Sequence, residues 1–341
     1  MRLRLLVLAA SSLLMTAAAC DSASDEPAPT PDAGTQGPDP TAGDVAPPDR
    51  TSCTGLTVAA GTYDWTVEHG GRTRAYRVHV PTGYDATKPT PVVFSFHGFA
   101  STEVEQEQLS QLSTLGDTEG FIAVYPRGLN SREVFGQGDT DSRGWNGVAC
   151  CGPAQIANVD DVGFVDALLA DLDTRVCTDP RRVFASGFSN GGFFSYRLAC
   201  ERAQRFAAIA PVAGMEGLTD CNPSRAIPVL HFHGTADPTI LYDGGSNLTS
   251  VGGRPYPSAA ESVRRFAERN GCTGPEQQTY QQGNSTCVAA TGCAPESATA
   301  SLCTVTGGKH AWPGQTGYNE GTPDLDATQA MWRFFQARPR P

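Results

Sequence analysis

The stretch Arg182-Val-Phe-Ala-Ser-Gly-Phe-Ser-Asn-Gly-Gly192 constrains the fold more than any other part of the chain. A short apolar run, Val183-Phe184-Ala185, enters Gly187-Phe188-Ser189-Asn190-Gly191, and Asn190–Cys200 continues in a helical pattern. A G-x-S-x-G between a strand and a helix makes a sharp turn that strains the serine backbone. Its flanking glycines are required because a Cβ would collide with the neighbouring strand and helix. Ser189 then stands at a helix N-terminus, where free N–H groups favour developing negative charge. The same letters also suit an ordinary Gly/Ser turn, so the rest of the chain must decide between the two.

Short apolar runs alternate with helical segments on either side of this turn. Thr62–Glu68 and Thr73–Val80 flank Gly70-Gly71 and predict a β-hairpin. Pro91–Phe96 is a buried-type strand that ends in His97-Gly98-Phe99. Thr102 and Glu105 form a capping box for a helix running to about Leu115, and Phe121–Tyr125 is a further strand. A Gly-, Asp- and Ser-rich loop from Arg127 to about Asn158 carries Trp145 and Cys150-Cys151, and loops of that length usually line a site. Helical spacing returns over 161–176; Phe206–Val212 and Ile227–Phe232 read as strands. Ser258 and Glu261 cap a helix that stops at Asn270-Gly271, Ser301–Thr306 is the last strand, and a helix from about Asp324 to Phe335 closes the chain. This alternation predicts βαβ units: an α/β fold with a mostly parallel central sheet and helices on both faces. Residues 51–341 are read as one such domain, with no additional module to either side.

The N-terminus has a different character. Met1-Arg2-Leu3-Arg4, an apolar Leu5–Leu14 stretch too short to span a bilayer, and Ala17-Ala18-Ala19 before Cys20 have the order of an export signal over 1–19. The segment resembles a bacterial lipobox with Ala17 where such boxes usually carry Leu. Lipidation of Cys20 and an envelope anchor are therefore expected, with simple secretion as the alternative. Residues 21–50 hold seven Pro and seven Asp/Glu against one basic residue, which predicts a solvated tether. Net charge is −11, and with no Lys/Arg cluster in 51–341 nucleic acid is not an expected partner. The chain is read as a monomer. Setting Cys20 aside, ten cysteines remain, none in a C-x-x-C, and in an exported chain these predict disulfides rather than a metal site. Cys200–Cys221, Cys272–Cys293 and Cys287–Cys303 are the pairs that suggest themselves, with Cys53 and Cys177 available to Cys150 and Cys151; sequence does not fix the connectivity.

A serine hydroxyl is a weak nucleophile and needs a base, which needs an acid to orient it. In three-layer α/β hydrolases these follow in the order Ser, Asp/Glu, His, each just past a strand. Asp237 follows strand 227–232, and among the six histidines only His310 comes after it, in the loop after 301–306. Asp237-Pro238 also suits a plain turn, and Asp243 is the competing acid. Two backbone N–H groups are needed for the oxyanion: Asn190, just after the serine, and Phe99, after an earlier strand, have the right positions. His97 is expected to hold loop backbone, His231 to be a core histidine, and His233 to order the Asp237 loop. Asp160-Asp161 fits a helix cap better than a carboxylate pair. Trp145 and Trp312 are candidates to line an acyl or sugar pocket, loop packing being the alternative.

Taken in order, six segments resemble a known family. They are His97-Gly98-Phe99, Trp145 with Cys150-Cys151-Gly152, Asp160–Phe164, Gly187–Gly192, His233-Gly-Thr-Ala-Asp237-Pro238 and Gly308-Lys-His310-Ala-Trp312-Pro-Gly314. Over about 60–335 they are similar to the secreted polyhydroxybutyrate depolymerase/feruloyl esterase family, the carbohydrate-esterase kind of α/β hydrolase. The resemblance implies that fold and carboxylic ester hydrolysis, and it carries Ser189, Asp237 and His310 over as nucleophile, acid and base. It implies no metal or organic cofactor. Lys309 stands where the family more often has a small residue, and Cys287/Cys303 are an extra potential pair. Hydroxycinnamoyl esters of plant polysaccharide are the expected substrates. Hydroxybutyrate polyester or its oligomers, and acyl transfer to a sugar or lipid acceptor, are the alternatives; the lack of a separate binding module favours soluble esters or oligomers.

Overall fold

Gly61–His69 (β1) and Arg72–Val80 (β2) pair antiparallel around the Gly70-Gly71 turn, as the hairpin pattern predicts. β2 buries Tyr76, Val78 and Val80 and turns the alternate residues outward, the period of a strand with one face on a core. The computed structural model describes residues 44–246, 255–316 and 321–341. The expected signal segment, Cys20 and most of the expected tether lie outside the described residues.

After the hairpin come Thr90–Phe96 (β3), Glu103–Ser110 (α1), Leu112–Glu119 (α2) and Ile122–Pro126 (β4). The helix expected over 102–115 starts with the predicted capping box, but it breaks at Gln111, which is left-handed at φ 54°. The long loop holds two short helices, Ser131–Phe135 (α3) and Pro153–Ile156 (α4). Asp161–Arg175 (α5) is capped by Asp160, whose carboxylate accepts from the Gly163 N–H. Asp161 pairs with Arg74 at 2.8 Å in the core. Both carboxylates are thus engaged in structure, as the capping expectation held.

Thr178–Phe188 (β5) leads through Ser189 into Asn190–Glu201 (α6). Ala208–Val212 (β6), Val229–Gly234 (β7) and Ala259–Arg269 (α7) follow. Gln277–Gln282 (β8) and Ser285–Ala289 (β9) form a hairpin that the sequence did not announce. β8 is Gln-Gln-Thr-Tyr-Gln-Gln, exposed almost throughout, so it offers no apolar alternation to read. Ala300–Val305 (β10) and Ala327–Gln336 (α8) complete the chain.

The strands form one sheet in the order β1-β2-β4-β3-β5-β6-β7-β10-β9-β8. Every pairing from β4 to β10 is parallel, and both edges are antiparallel. One apolar core gathers Val92, Phe94 and Phe96 with Leu168 of α5, Tyr196 of α6 and Phe266 of α7. The other takes the alternate residue Val93 with Leu115 of α2 and Met331 and Phe335 of α8. The result is an α/β fold with helices on both faces.

Five disulfides join described residues. Cys200–Cys221, Cys272–Cys293 and Cys287–Cys303 are the expected pairs, the last joining register partners of β9 and β10. Cys53 and Cys177, however, pair with each other, and Cys150 with its neighbour Cys151. The reason is distance. Cys177 precedes β5 while the 150/151 pair lies near its far end, and β5 runs alongside β3 from Thr90 to Phe96, about 20 Å, well beyond the reach of a disulfide.

Candidate active site

β5 lies between β3 and β6 and delivers Ser189 to the carboxyl edge of the sheet. Ser189 has φ 54° and ψ −117°, a strained setting for a side-chain-bearing residue. Its N–H donates to the Val212 carbonyl at 2.8 Å. A Cβ on Gly187 would fall 2.4 Å from the Gly191 carbonyl oxygen, and one on Gly191 would fall 2.1 Å from that of Phe96. Both glycines are therefore demanded by main-chain approach. Asn190 opens α6, so its N–H belongs to the first turn, where a helix has no acceptor of its own. The Asn190 side chain is fully buried. Its oxygen accepts from Trp145 N–H (2.6 Å), and its nitrogen donates to the carbonyls of Trp145 (3.0 Å) and Cys150 (2.9 Å).

The loop after β3 lies against this turn. His97 is fully buried; its Nδ1–H donates to the Gly98 carbonyl at 2.8 Å and its Nε2 accepts from Gly128 N–H at 3.0 Å. Burial pushes the imidazole down to about 4, which keeps it neutral and able to accept. His97 thus holds loop backbone, as expected. Phe99 follows, 42 % exposed, beside Ser189 on the same cavity.

β7 and β10 are parallel neighbours, so the loops that leave them meet. Asp237 Oδ1 accepts from the N–H groups of Thr239 (2.8 Å) and Ile240 (2.9 Å). Its Oδ2 accepts from His310 Nδ1 at 2.7 Å and faces His233 Nε2 at 3.3 Å. Burial pushes the Asp237 carboxyl up, but the hydrogen bonds from His233 and His310 outweigh it and hold the group well below the usual carboxylate range. The His310 ring lies 4.7 Å from that of Phe188. Asp243, the competing acid, is exposed.

Ser189 and His310 open onto one cavity of about 500 Å³, whose apolar wall includes Phe99, Leu109, Cys151, Phe188 and Ile240. Neither tryptophan is part of it. Trp145 is fully buried, stacked on Phe194 at 5.3 Å, and donates its indole N–H to the His97 carbonyl at 3.0 Å. Trp312 is fully buried and donates to Thr328 Oγ1 at 3.0 Å. Both find their polar partner inside the protein, so both pack loops rather than wall the site. Leu109 and Ile240 carry no signal in sequence. Cys151 did, through its doublet.

The family model described as a putative esterase matches residues 68–310. Feruloyl esterase B of Piromyces equi is 31 % identical over 69 % of this chain, which spans 42 % of that longer protein. The putative esterase NocK of Nocardia uniformis subsp. tsuyamanensis is 32 % identical over 90 % of this chain and 89 % of its own length. A probable feruloyl esterase C of Aspergillus oryzae is 31 % identical over 77 % and 84 %. In fold, the acetyl xylan esterase from Aspergillus awamori superposes with a TM-score of 0.56 at 14 % identity, covering 82 % of this chain and all (100 %) of that one. Through the family model and these relatives, the chain belongs to the esterase family and is a carboxylic ester hydrolase.

Proposed function

We propose that Ser189, His310 and Asp237 hydrolyse esters by two-step acyl transfer, and that the preferred acyl group is a hydroxycinnamate carried on polysaccharide. The carrying observation is the joint placement of Ser189 and His310 on one cavity, with Asp237 2.7 Å behind His310. Because Asp237 accepts a hydrogen bond from the His310 Nδ1–H, His310 Nε2 is the basic nitrogen. It accepts the Ser189 proton as Oγ bonds to the ester carbonyl carbon. The Phe99 and Asn190 N–H groups receive the oxyanion. His310 then protonates the departing alcohol, and a water deprotonated by His310 releases the acid.

An aryl acyl group suits this cavity in size and in lining. About 500 Å³ is ample for a small ligand, and Phe99, Phe188, Leu109 and Ile240 supply ring-sized apolar surface. Two of the relatives bear the name feruloyl esterase. Export accords with the same reading, since five disulfides persist in oxidising surroundings; cleavage before Cys20, with an acyl anchor there, is part of the proposal.

Fluorophosphonate should label Ser189 alone, and Ser189→Ala should lower kcat by on the order of a millionfold without altering the fold. A folded wild-type protein that resists the probe sinks the mechanism. Turnover of methyl ferulate, a nitrophenyl acetate and hydroxybutyrate oligomers, with free acid and acyl-acceptor product both quantified, tests the substrate. Higher kcat/KM for the oligomers, or product on the acceptor, would overturn it.

A further inference from the structure

Behind Asp237 lies a buried chain of side chains that the acyl-transfer steps do not use. His231 and His233 are alternate residues of β7, fully or almost fully buried, with rings parallel within 8°. His233 Nε2 lies 2.8 Å from the Ile240 carbonyl and 3.3 Å from Asp237 Oδ2. His233 Nδ1 lies 3.0 Å from His231 Nε2, and His231 Nδ1 lies 2.8 Å from the Tyr196 hydroxyl.

The proton positions along this chain follow from its ends. A carbonyl and a carboxylate can only accept, so His233 must carry its proton on Nε2. Its Nδ1 is then an acceptor, which requires the proton of His231 on Nε2. His231 Nδ1 in turn accepts from the Tyr196 O–H. Every donor and acceptor is matched with both imidazoles neutral. Burial pushes His231 well down and Tyr196 well up from their usual ranges, the same protonation states. The surroundings agree. Tyr242 meets the His233 ring edge-on, while Glu216 is engaged by Arg265 and Arg269.

We propose that His233 is a positioning residue for the acid of the triad, and that His231 and Tyr196 act by locking its tautomer. This rests on the Ser189–Asp237–His310 reading. Asp237 Oδ2 then accepts from His310 on one side and faces, at 3.3 Å on the other, the His233 Nε2–H that donates to the Ile240 carbonyl, while Thr239 and Ile240 N–H groups hold Oδ1. The His233 N–H dipole, fixed beside Oδ2 by the Ile240 carbonyl, favours this rotation of the carboxylate and stabilises its charge. A carboxylate without that dipole beside it binds the His310 proton more tightly. Loss of His233 should therefore raise the pH at which His310 becomes an active base.

The test begins with His233→Leu and His233→Gln, since a glutamine amide can return a donor near the Nε2 position. For His233→Leu we expect kcat to fall about tenfold with KM unchanged, and the acid limb of kcat/KM to move up by about half a pH unit. His233→Gln should return both most of the way. Long-range 1H–15N spectra of the wild-type protein at about pH 8 need no variant to fold: each imidazole should carry its single proton on Nε2. Tyr196→Phe should shift the His231 Nδ1 signal. A His233 proton on Nδ1, or a folded His233→Leu enzyme with wild-type kcat and an unmoved acid limb, overturns the proposal. If Ser189→Ala is inactive while His233→Leu is normal, this inference alone fails. An active Ser189→Ala would remove the triad beneath it.

Discussion

The nucleophile side and the acid side of the site are held by different kinds of bond. Around Ser189, polar side chains bind main chain: Asn190 to Trp145 and Cys150, His97 to Gly98 and Gly128. Glycines bring backbones into contact there. Around Asp237, main-chain groups of Thr239 and Ile240 take part too, but side chains also bind side chains, Tyr196 to His231, His231 to His233 and Asp237 to His310. The first arrangement fixes shape; the second fixes where protons sit. Damage on the first side should therefore appear in folding. On the second side it should appear in rate and pH dependence.

The largest expected effect is Gly191→Ala. Its methyl would lie 2.1 Å from a main-chain oxygen that cannot swing aside, so no cooperatively melting, active protein is expected; a soluble variant with normal thermal unfolding would break the comparison. Asp237→Asn should do the reverse. The amide oxygen can still accept from Thr239 and Ile240, so thermal unfolding should stay near wild type, while kcat falls by on the order of ten-thousandfold because His310 loses its tautomer. Asn190→Ala leaves two buried carbonyls and one N–H without their partner. It should cost about 4 kcal/mol of unfolding free energy in urea, with kcat/KM reduced as Cys151 loosens from the cavity wall. A loss under about 1 kcal/mol would mean that main-chain anchoring is not what holds the loop.

The smallest effect is set by pH. In the unfolded chain a histidine titrates near 6.5, whereas buried His97 stays neutral down to about 4. The native state thus binds fewer protons in that window. Stability present above pH 6.5 is lost as pH falls toward 4, by about 3 kcal/mol from this residue. Urea midpoints between pH 7 and 4 measure it, and a flat profile would show His97 charged in the native protein.

Much of this was legible in the sequence wherever one residue type has one physical use. Gly187 and Gly191 announce a backbone crossing, and Thr102 with Glu105 or Ser258 with Glu261 announce helix starts that the structure contains. Asp237 and His310 could be chosen by order and by their position past strands. The rest depended on which way a side chain turned. Trp145 and Trp312 have the composition of a pocket wall but found indole partners in the core. β8 is nearly all polar and exposed, so its strand is imposed by pairing with β9 rather than by any pattern of its own. Gln111 adopts a left-handed conformation in the middle of a helical period, which nothing in its letters required. The vicinal pairing of Cys150 and Cys151 depends on how far β5 carries them from Cys177, a length visible only once the strand is built.

The Cys53–Cys177 bond closes a ring of chain with a sequence separation of 124 residues, and within that ring residues 135–141 form a continuous exposed run. A protease that cut this run would not divide the molecule, because the two pieces would remain tied through the sulfur bridge. Such a nicked enzyme would migrate as one species until reduced and as two afterwards. The same bond would keep β1–β4 beside the strands they pair with while the break persisted, so a cut chain could go on turning over substrate.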